Sequence, residues 1–244
     1  MSISAVVLAR NEEQNIKKCL DRLKFASETI VIDDSSTDKT RKIASNLKAR
    51  VYTTHNKDFS EMRNLAKEYA KSDWLLYVDS DELVTDKLAA EIKLSVKENF
   101  SAFAIVRQNY FFGVLWPHSE NMIRLIKKDA LIGWLGKVHE TARIKGDIGQ
   151  LKNPILHYTH NDLSLMVDKT NEWSEIEAEL RFKSGHPQVS WWRLFRVMFT
   201  AFWNSYVGQK GYKAGVIGLI ESIYQSFSIF VTYAKLWEKQ RKKY

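Results

Sequence analysis

The chain has one cysteine, Cys19, in 244 residues, so no disulfide can form within it and nothing points to an oxidising compartment. It has no His/Cys cluster with zinc-ligand spacing, no G-x-S-x-G elbow and no G-x-x-x-x-G-K loop, which removes support for zinc hydrolysis, serine-esterase chemistry and ATP hydrolysis. The opening MSISAVVLARNEEQN has no basic leader followed by an apolar stretch and a small-residue cleavage site, and a cytoplasmic location is the expectation. No apolar run is expected to reach the ~18–20 uncharged residues of a bilayer span. Arg193 and Arg196 interrupt one candidate, and Glu221 and Gln225 the other. Acid is what the last quarter lacks. From Arg181 to Tyr244 there are eleven Lys or Arg against two acids, Glu221 and Glu238, a net +9 in a chain whose total is +8. The basic character therefore belongs to the tail, together with four of the eight tryptophans.

What is present suits a folded enzyme-sized chain. A content of 45% hydrophobic and 12% aromatic residues is ample for one α/β domain with an appendage, or for two small domains. Along the first half, short β-branched runs alternate with helical periodicity. SAVVLA, TIVID, RVYTT and WLLYVD read as strands. NEEQNIKKCLDRL, with Asn11 as N-cap and Gln14 three residues on, reads as a helix, as do DKTRKIASNL and SEMRNLAKEYA. Strands without polar alternation, separated by helices, indicate a mostly parallel sheet covered on both faces, in which ligands bind beyond the carboxyl ends of the strands.

The acids sit at those ends. Asp33 and Asp34 follow TIVI, and Asp79, Asp81 and Glu82 follow LLYV, with Arg10-Asn11-Glu12 after the first strand. Carboxylates brought so close raise one another's pKa unless a cation lies among them. A hard divalent ion, Mn²⁺ or Mg²⁺, is the simplest such cation and fills its remaining positions with phosphate and water. Asp-Ser-Asp-Glu is also ordinary turn and helix-cap composition, and a lone D-x-D carries little by itself.

Taken in order, AVVLARNEEQNI, VIDDSSTDKT, Arg63 within SEMRNLAKEYA, and WLLYVDSDE resemble the nucleotide-sugar-binding half of the inverting family 2 glycosyltransferases, which have the GT-A fold. MIRLIKKD, GKVHE and PILHYTHNDLSLMVDK extend the resemblance toward the smaller bacterial branch that includes lipopolysaccharide core β-glucosyltransferases, over roughly residues 3 to 175. The resemblance implies a metal-dependent enzyme that transfers a sugar, with inversion, from a nucleoside-diphosphate donor, a UDP-sugar first, to a hydroxyl of a glycan or glycolipid. Cell-envelope polysaccharide or lipopolysaccharide biosynthesis is the implied setting.

The same resemblance implies roles for individual residues. Asp34 would accept a hydrogen bond from the nucleobase, with Asp33, Arg10, Asn11 and Glu12 around base and ribose. Arg63 would lie near the base or diphosphate, Asp79 and Ser80 at the ribose or a metal-bound water, and Asp81 would be the principal metal ligand, with Asp79 sharing the ion. Glu140, in Gly136-Lys137-Val138-His139-Glu140, is the candidate base, with His139 as orienter or diphosphate contact. The commoner Glu-Asp motif of larger relatives is absent at that position. His157 would reach the diphosphate or the metal as neutral imidazole. Arg124, in MIRLIKK, would reach acceptor or phosphate. Blander readings stand beside these: Asp34 and Asp38 as caps of the second helix, Arg63 as a solvated helix residue, His139-Glu140 as a polar strand end, Arg124 as a surface cation.

The catalytic domain is expected over residues 1–161 and a helical accessory region over 162–244. LSLMVDKTNEWSEIEAELRFK reads as one long helix ended by Gly185-His186-Pro187, followed by the aromatic WWRLFRVMFTAFW. Trp and Phe beside Arg and Lys fit peripheral contact with an anionic membrane at its inner face, and the same spacing fits packing on the catalytic domain or pairing in a homo-oligomer. Two other classes remain open. A sugar nucleotidyltransferase calls for a glycine-rich loop after the first strand, which LARNEEQN lacks. A nucleic-acid-binding protein accounts for the basic aromatic tail, but not for acids at three strand ends.

Overall fold

A computed structural model of the chain describes residues 1–55, 58–136 and 140–242. By internal contacts the chain divides into two compact units, Met1–Gln108 with Glu120–His157, and Asn109–Ser119 with Tyr158–Tyr244.

The first unit is built on β1 (Ile3–Ala9), β2 (Glu28–Asp34), β3 (Arg50–Thr54) and β4 (Trp74–Asp79), all parallel, with Val6 opposite both Ile30 and Tyr77. These are the four strands expected from sequence. Every residue of β1 is buried, and the pleat divides them between two cores. Ile3, Ala5, Val7 and Ala9 join Ile16 and Cys19 of α1 (Ile16–Asp21) and Leu88 and Ile92 of α4 (Asp86–Ser95). Val6 and Leu8 join Met62 and Ala66 of α3 (Phe59–Tyr69), with Tyr77 and Trp134. A strand covered on both faces has no solvent side, which is why SAVVLA shows no alternation.

Beyond β4 the sheet turns mixed. β5 (Glu82–Val84), β6 (Ala102–Phe111), β7 (Val114–Lys127), β10 (Ile148–Gln150) and β11 (Ile155–Thr159) complete nine strands in the order β3-β2-β1-β4-β7-β6-β11-β5, with β10 parallel to β6. β7 runs antiparallel to β4, Leu76 opposite Leu125, and β11 antiparallel to β5, His157 opposite Glu82. β8 (Leu131–Leu135) and β9 (Thr141–Ile144) form a separate two-stranded ribbon.

The first helix starts later than its sequence suggests. Asn11 is not its N-cap: it takes a left-handed backbone (φ 55°), and its Oδ1 accepts from the Thr37 N–H at 2.8 Å, so the side chain is used to tie the first strand end to the loop after β2. α2 (Thr40–Asn46) begins beside Asp38, whose Oδ1 accepts from Thr40 N at 2.9 Å, the local capping role foreseen for it. α3 opens with a reciprocal capping box between Asp58 and Glu61.

The second unit holds three long helices, α5 (Leu163–Lys183), α6 (Trp191–Trp203) and α7 (Gly215–Arg241). Asp162 caps α5 by accepting from Leu165 N at 3.0 Å, and Gly185 follows its end with φ 72°. Ala178, Val189, Val197, Tyr233 and Leu236 form the core between them. A Cβ on Gly218 would lie 1.8 Å from the Gly211 carbonyl oxygen, so only glycine permits that approach. One expectation is corrected here. The segment Gly211–Arg241 is long and apolar enough to cross a membrane by length and composition. Glu221, counted as an interruption, is buried and bonded to His160 Nδ1 at 2.8 Å and to Gln225 Nε2 at 2.7 Å.

Because α3 carries Arg63 into the first unit's interior, its cap has a measurable consequence: Asp58→Ala lowers unfolding free energy by about 1 kcal/mol, read by chemical denaturation, whereas an unchanged midpoint would show that the box contributes nothing.

Candidate active site

The ends of β2 and β4 deliver the acids of the first unit, and they arrive in three different electrostatic states. At the end of β2, Asp33 is fully buried. Its Oδ2 accepts from Ser36 N at 3.0 Å and lies 3.7 Å from Arg41 Nε, while its Oδ1 has no hydrogen-bond partner. Asp34 Oδ2 lies 3.9 Å from Arg10 Nη1, and its Oδ1, also shielded from solvent, has no partner. Asp34 does not cap α2. Asn11 N donates to Ser36 Oγ at 2.9 Å and Glu12 N to Thr40 Oγ1 at 2.8 Å, so the Arg10-Asn11-Glu12 corner is anchored to the β2–α2 loop through its backbone. An unsatisfied buried carboxylate oxygen costs roughly 1–3 kcal/mol or more, and Asp33 and Asp34 each leave one acceptor unused.

At the end of β4 the acids are instead fully engaged. Asp79 Oδ1 accepts from Arg63 Nη2 at 2.9 Å and Arg124 Nη1 at 3.3 Å, and Oδ2 accepts from Arg124 Nη2 at 2.6 Å. Arg124 Nη2 also donates to Glu82 Oε1 at 3.1 Å, and Arg107 Nη1 reaches the same oxygen at 3.4 Å. Glu82 Oε2 accepts from the Asp79 N–H at 2.9 Å, closing the turn in which Ser80 is buried. Burial alone pushes the Asp79 carboxyl up, but Arg124 and Arg63 outweigh it and hold the group well below the usual carboxylate range. For Glu82 burial prevails over Arg124, and with Asp79 nearby its affinity for a proton is raised. Cys19, beneath the same turn, is pushed up by burial and remains a thiol.

The cation that sequence reasoning placed among these acids is therefore, for Asp79 and Glu82, a set of guanidinium groups. Both oxygens of Asp79, expected to share the ion, face arginines. Arg63 and Arg124 are 3% and 2% exposed at the side chain, so neither is the solvated cation that a helix or surface position allows. The available signal was Arg124 itself, charged and flanked by Ile123 and Leu125 within an apolar strand; Arg107 and Glu82 carried no comparable mark.

Asp81 projects from the turn in a third state. Its Oδ2 lies 3.2 Å from His157 Nε2, brought close by the β5–β11 register. Among the described residues no three His, Cys, Asp or Glu side chains converge as a metal cluster. A carboxylate and an imidazole side by side nevertheless fit a divalent ion that leaves its other positions to phosphate oxygens and water.

Glu140 is tied into the same network. Arg63 donates to its Oε1 from Nε at 3.0 Å, with Nη2 at 2.9 Å, and the guanidinium lies over Trp134, 4.8 Å from the ring centroid. One arginine thus bridges Asp79 and Glu140, two residues 61 positions apart in sequence. His139 lies outside the described residues.

With this geometry in view, the comparisons are specific. A family model described as glycosyl transferase family 2 matches residues 4–167, and the chain belongs to that family. The lipopolysaccharide core biosynthesis glycosyltransferase LpsC of Rhizobium meliloti (strain 1021) is 23% identical over 261 residues, covering 100% of this chain and 94% of that one. The SPbeta prophage-derived glycosyltransferase SunS of Bacillus subtilis (strain 168) is 34% identical over 147 residues, 57% of this chain and 34% of its own length. The structure of S. aureus TarS 1-349 in complex with UDP-GlcNAc shares the fold with a TM-score of 0.50 at 14% identity, covering 100% of this chain and 92% of that one. The fold is GT-A, and the protein is a glycosyltransferase rather than a nucleotidyltransferase or a nucleic-acid-binding module.

Removing Arg124 tests the ladder. Arg124→Met leaves Asp79 and Glu82 with less positive charge, costing about 3–5 kcal/mol near neutral pH. Since Arg124 lowers the proton affinity of both carboxyls, the folded variant binds protons at higher pH than wild type does, and its deficit narrows on acidification. Melting curves across pH read this directly; a deficit independent of pH contradicts it.

Proposed function

We propose that the protein is an inverting glycosyltransferase that moves a sugar from a UDP-sugar to a hydroxyl of a glycan or glycolipid in cell-envelope polysaccharide or lipopolysaccharide biosynthesis. The observation that carries the donor reading is the pair of buried, unpartnered oxygens of Asp33 and Asp34 at the end of β2. A uracil ring presents one N–H that a carboxylate can accept, and the unpartnered Asp34 Oδ1 would accept it. Arg10, Asn11 and Glu12 border the same strand end and would enclose the ribose, with Ser80 and the backbone of the β4–β5 turn on its other side. The name of LpsC supports the pathway.

A divalent cation, Mn²⁺ or Mg²⁺, held by Asp81 and His157 would neutralise charge developing on the departing diphosphate. The protein's own groups do the rest. Arg63, locked between Asp79 and Glu140, fixes the Glu140 carboxylate. As the acceptor oxygen bonds to the anomeric carbon and the carbon–oxygen bond to the diphosphate breaks, Glu140 takes the acceptor's proton. Attack from the face opposite the leaving group inverts the anomeric configuration. His139 remains the candidate orienter.

Separate variants test the separate roles. By titration calorimetry, Asp34→Ala weakens UDP binding about 10–100-fold, and Asp81→Ala removes the dependence of that binding on Mn²⁺. Glu140→Gln leaves UDP affinity unchanged and lowers turnover by about 10²–10⁴. Wild-type affinity in the first two, or full transfer by the third, removes the corresponding assignment; a panel of nucleotide sugars identifies the donor.

A further inference from the structure

The second unit carries an apolar face that its own fold leaves uncovered. On α6, Trp191, Phe195, Phe199 and Trp203 recur every fourth residue and are 75%, 68%, 63% and 54% exposed. Between α6 and α7 runs a groove of about 360 Å³, lined by Phe199 and Phe202 from one helix and by Phe227 and Phe230 from the other. Contiguous apolar surface on this scale marks an interaction site.

Charge indicates what covers it. Of the two acids between Arg181 and Tyr244, Glu221 is buried, and Glu238 is paired with Lys242 at 2.6 Å near the end of α7. The apolar face thus presents no free carboxylate. Arg193 and Arg196 both lie over the Trp192 ring, 5.6 Å from its centroid, placing cations and an indole at the edge of the face. A second copy of this face would bring like charges together, whereas anionic lipid headgroups meet both the cations and the aromatic rings.

The opposite side of α7 indicates how deep contact goes. Tyr224 donates to the Met166 carbonyl at 2.8 Å, Lys235 to Asn171 Oδ1 at 2.9 Å, and Lys239 pairs with Glu175 at 2.6 Å and Glu179 at 2.9 Å. With Glu221 held by His160, these ties run from residue 221 to 239. That is ~27 Å of helix, nearly the thickness of a hydrocarbon core. Crossing a bilayer would carry the charged helix α5 with it or break every tie.

We propose that the α6–α7 face seats in the headgroup region of an anionic bilayer, burying its aromatic side chains in one leaflet, and that α7 does not span. This stands independently of the donor and base assignments. Full-length protein is sedimented with phosphatidylcholine vesicles with and without phosphatidylglycerol. Binding is expected only, or far more strongly, with phosphatidylglycerol. Phe199→Ser with Phe227→Ser, both exposed sites, lowers partitioning by roughly a hundredfold with an unchanged melting temperature, and Arg193→Glu with Arg196→Glu abolishes the preference for phosphatidylglycerol. In membranes of expressing cells, alkaline carbonate releases the protein. Three results overturn the proposal: no vesicle binding, retention after carbonate, or a dimer that the Phe199→Ser/Phe227→Ser variant dissolves while vesicle binding is absent.

Discussion

One buried guanidinium shared between a buried and a half-buried carboxylate is the constraint on which the first unit depends. Arg124 reaches Asp79 and Glu82 together, at 2.6 and 3.1 Å, and lowers the proton affinity of both against the effect of burial. Arg63 and Arg107 extend the alternation on either side, to Glu140 and Glu120. The arrangement binds β4, β5, β6, β7 and α3 to one point through charge, while the two apolar cores hold the same elements by burial. It also fixes the turn from β4 to β5, because Glu82 returns to accept the Asp79 N–H.

From that fixed turn the division of labour among the acids follows. Asp79 and Glu82 are saturated by arginine and serve position. Asp81, in the turn between them, has an imidazole neighbour instead of an arginine and is the residue proposed for the metal. Asp33 and Asp34 differ from Asp79: each keeps one buried oxygen, Oδ1, with no hydrogen-bond partner, a cost that the proposed nucleobase contact would relieve. A cluster that reads as uniform negative charge is therefore three kinds of site, separated by which cations the sheet delivers to each.

Sequence patterns carried the parallel half of the sheet and the bounds of α5, because a doubly covered strand and a long helix with a cap and a terminal glycine leave local marks. They did not carry the arginine ladder. Arg63, Arg107 and Arg124 lie on a helix and two strands far apart in sequence, and only the antiparallel pairing of β7 with β4 brings Arg124 to Asp79. The strands between residues 100 and 160 were equally silent about β4–β7 and β5–β11, because those partners lie roughly 50 and 75 residues away in sequence. Asn11 misled for a related reason: its side chain suits a helix cap, but a contact with Thr37, 26 residues away, prevails over the local option.

The account turns on where the negative charge is already satisfied and where it is not. A crystal structure with UDP and Mn²⁺ decides this most directly. The account predicts the uracil ring against Asp34, the ion on Asp81 and His157, and Asp79 still paired with Arg124. An ion gripped by Asp79 with Arg124 displaced, or a nucleotide bound away from the end of β2, contradicts it.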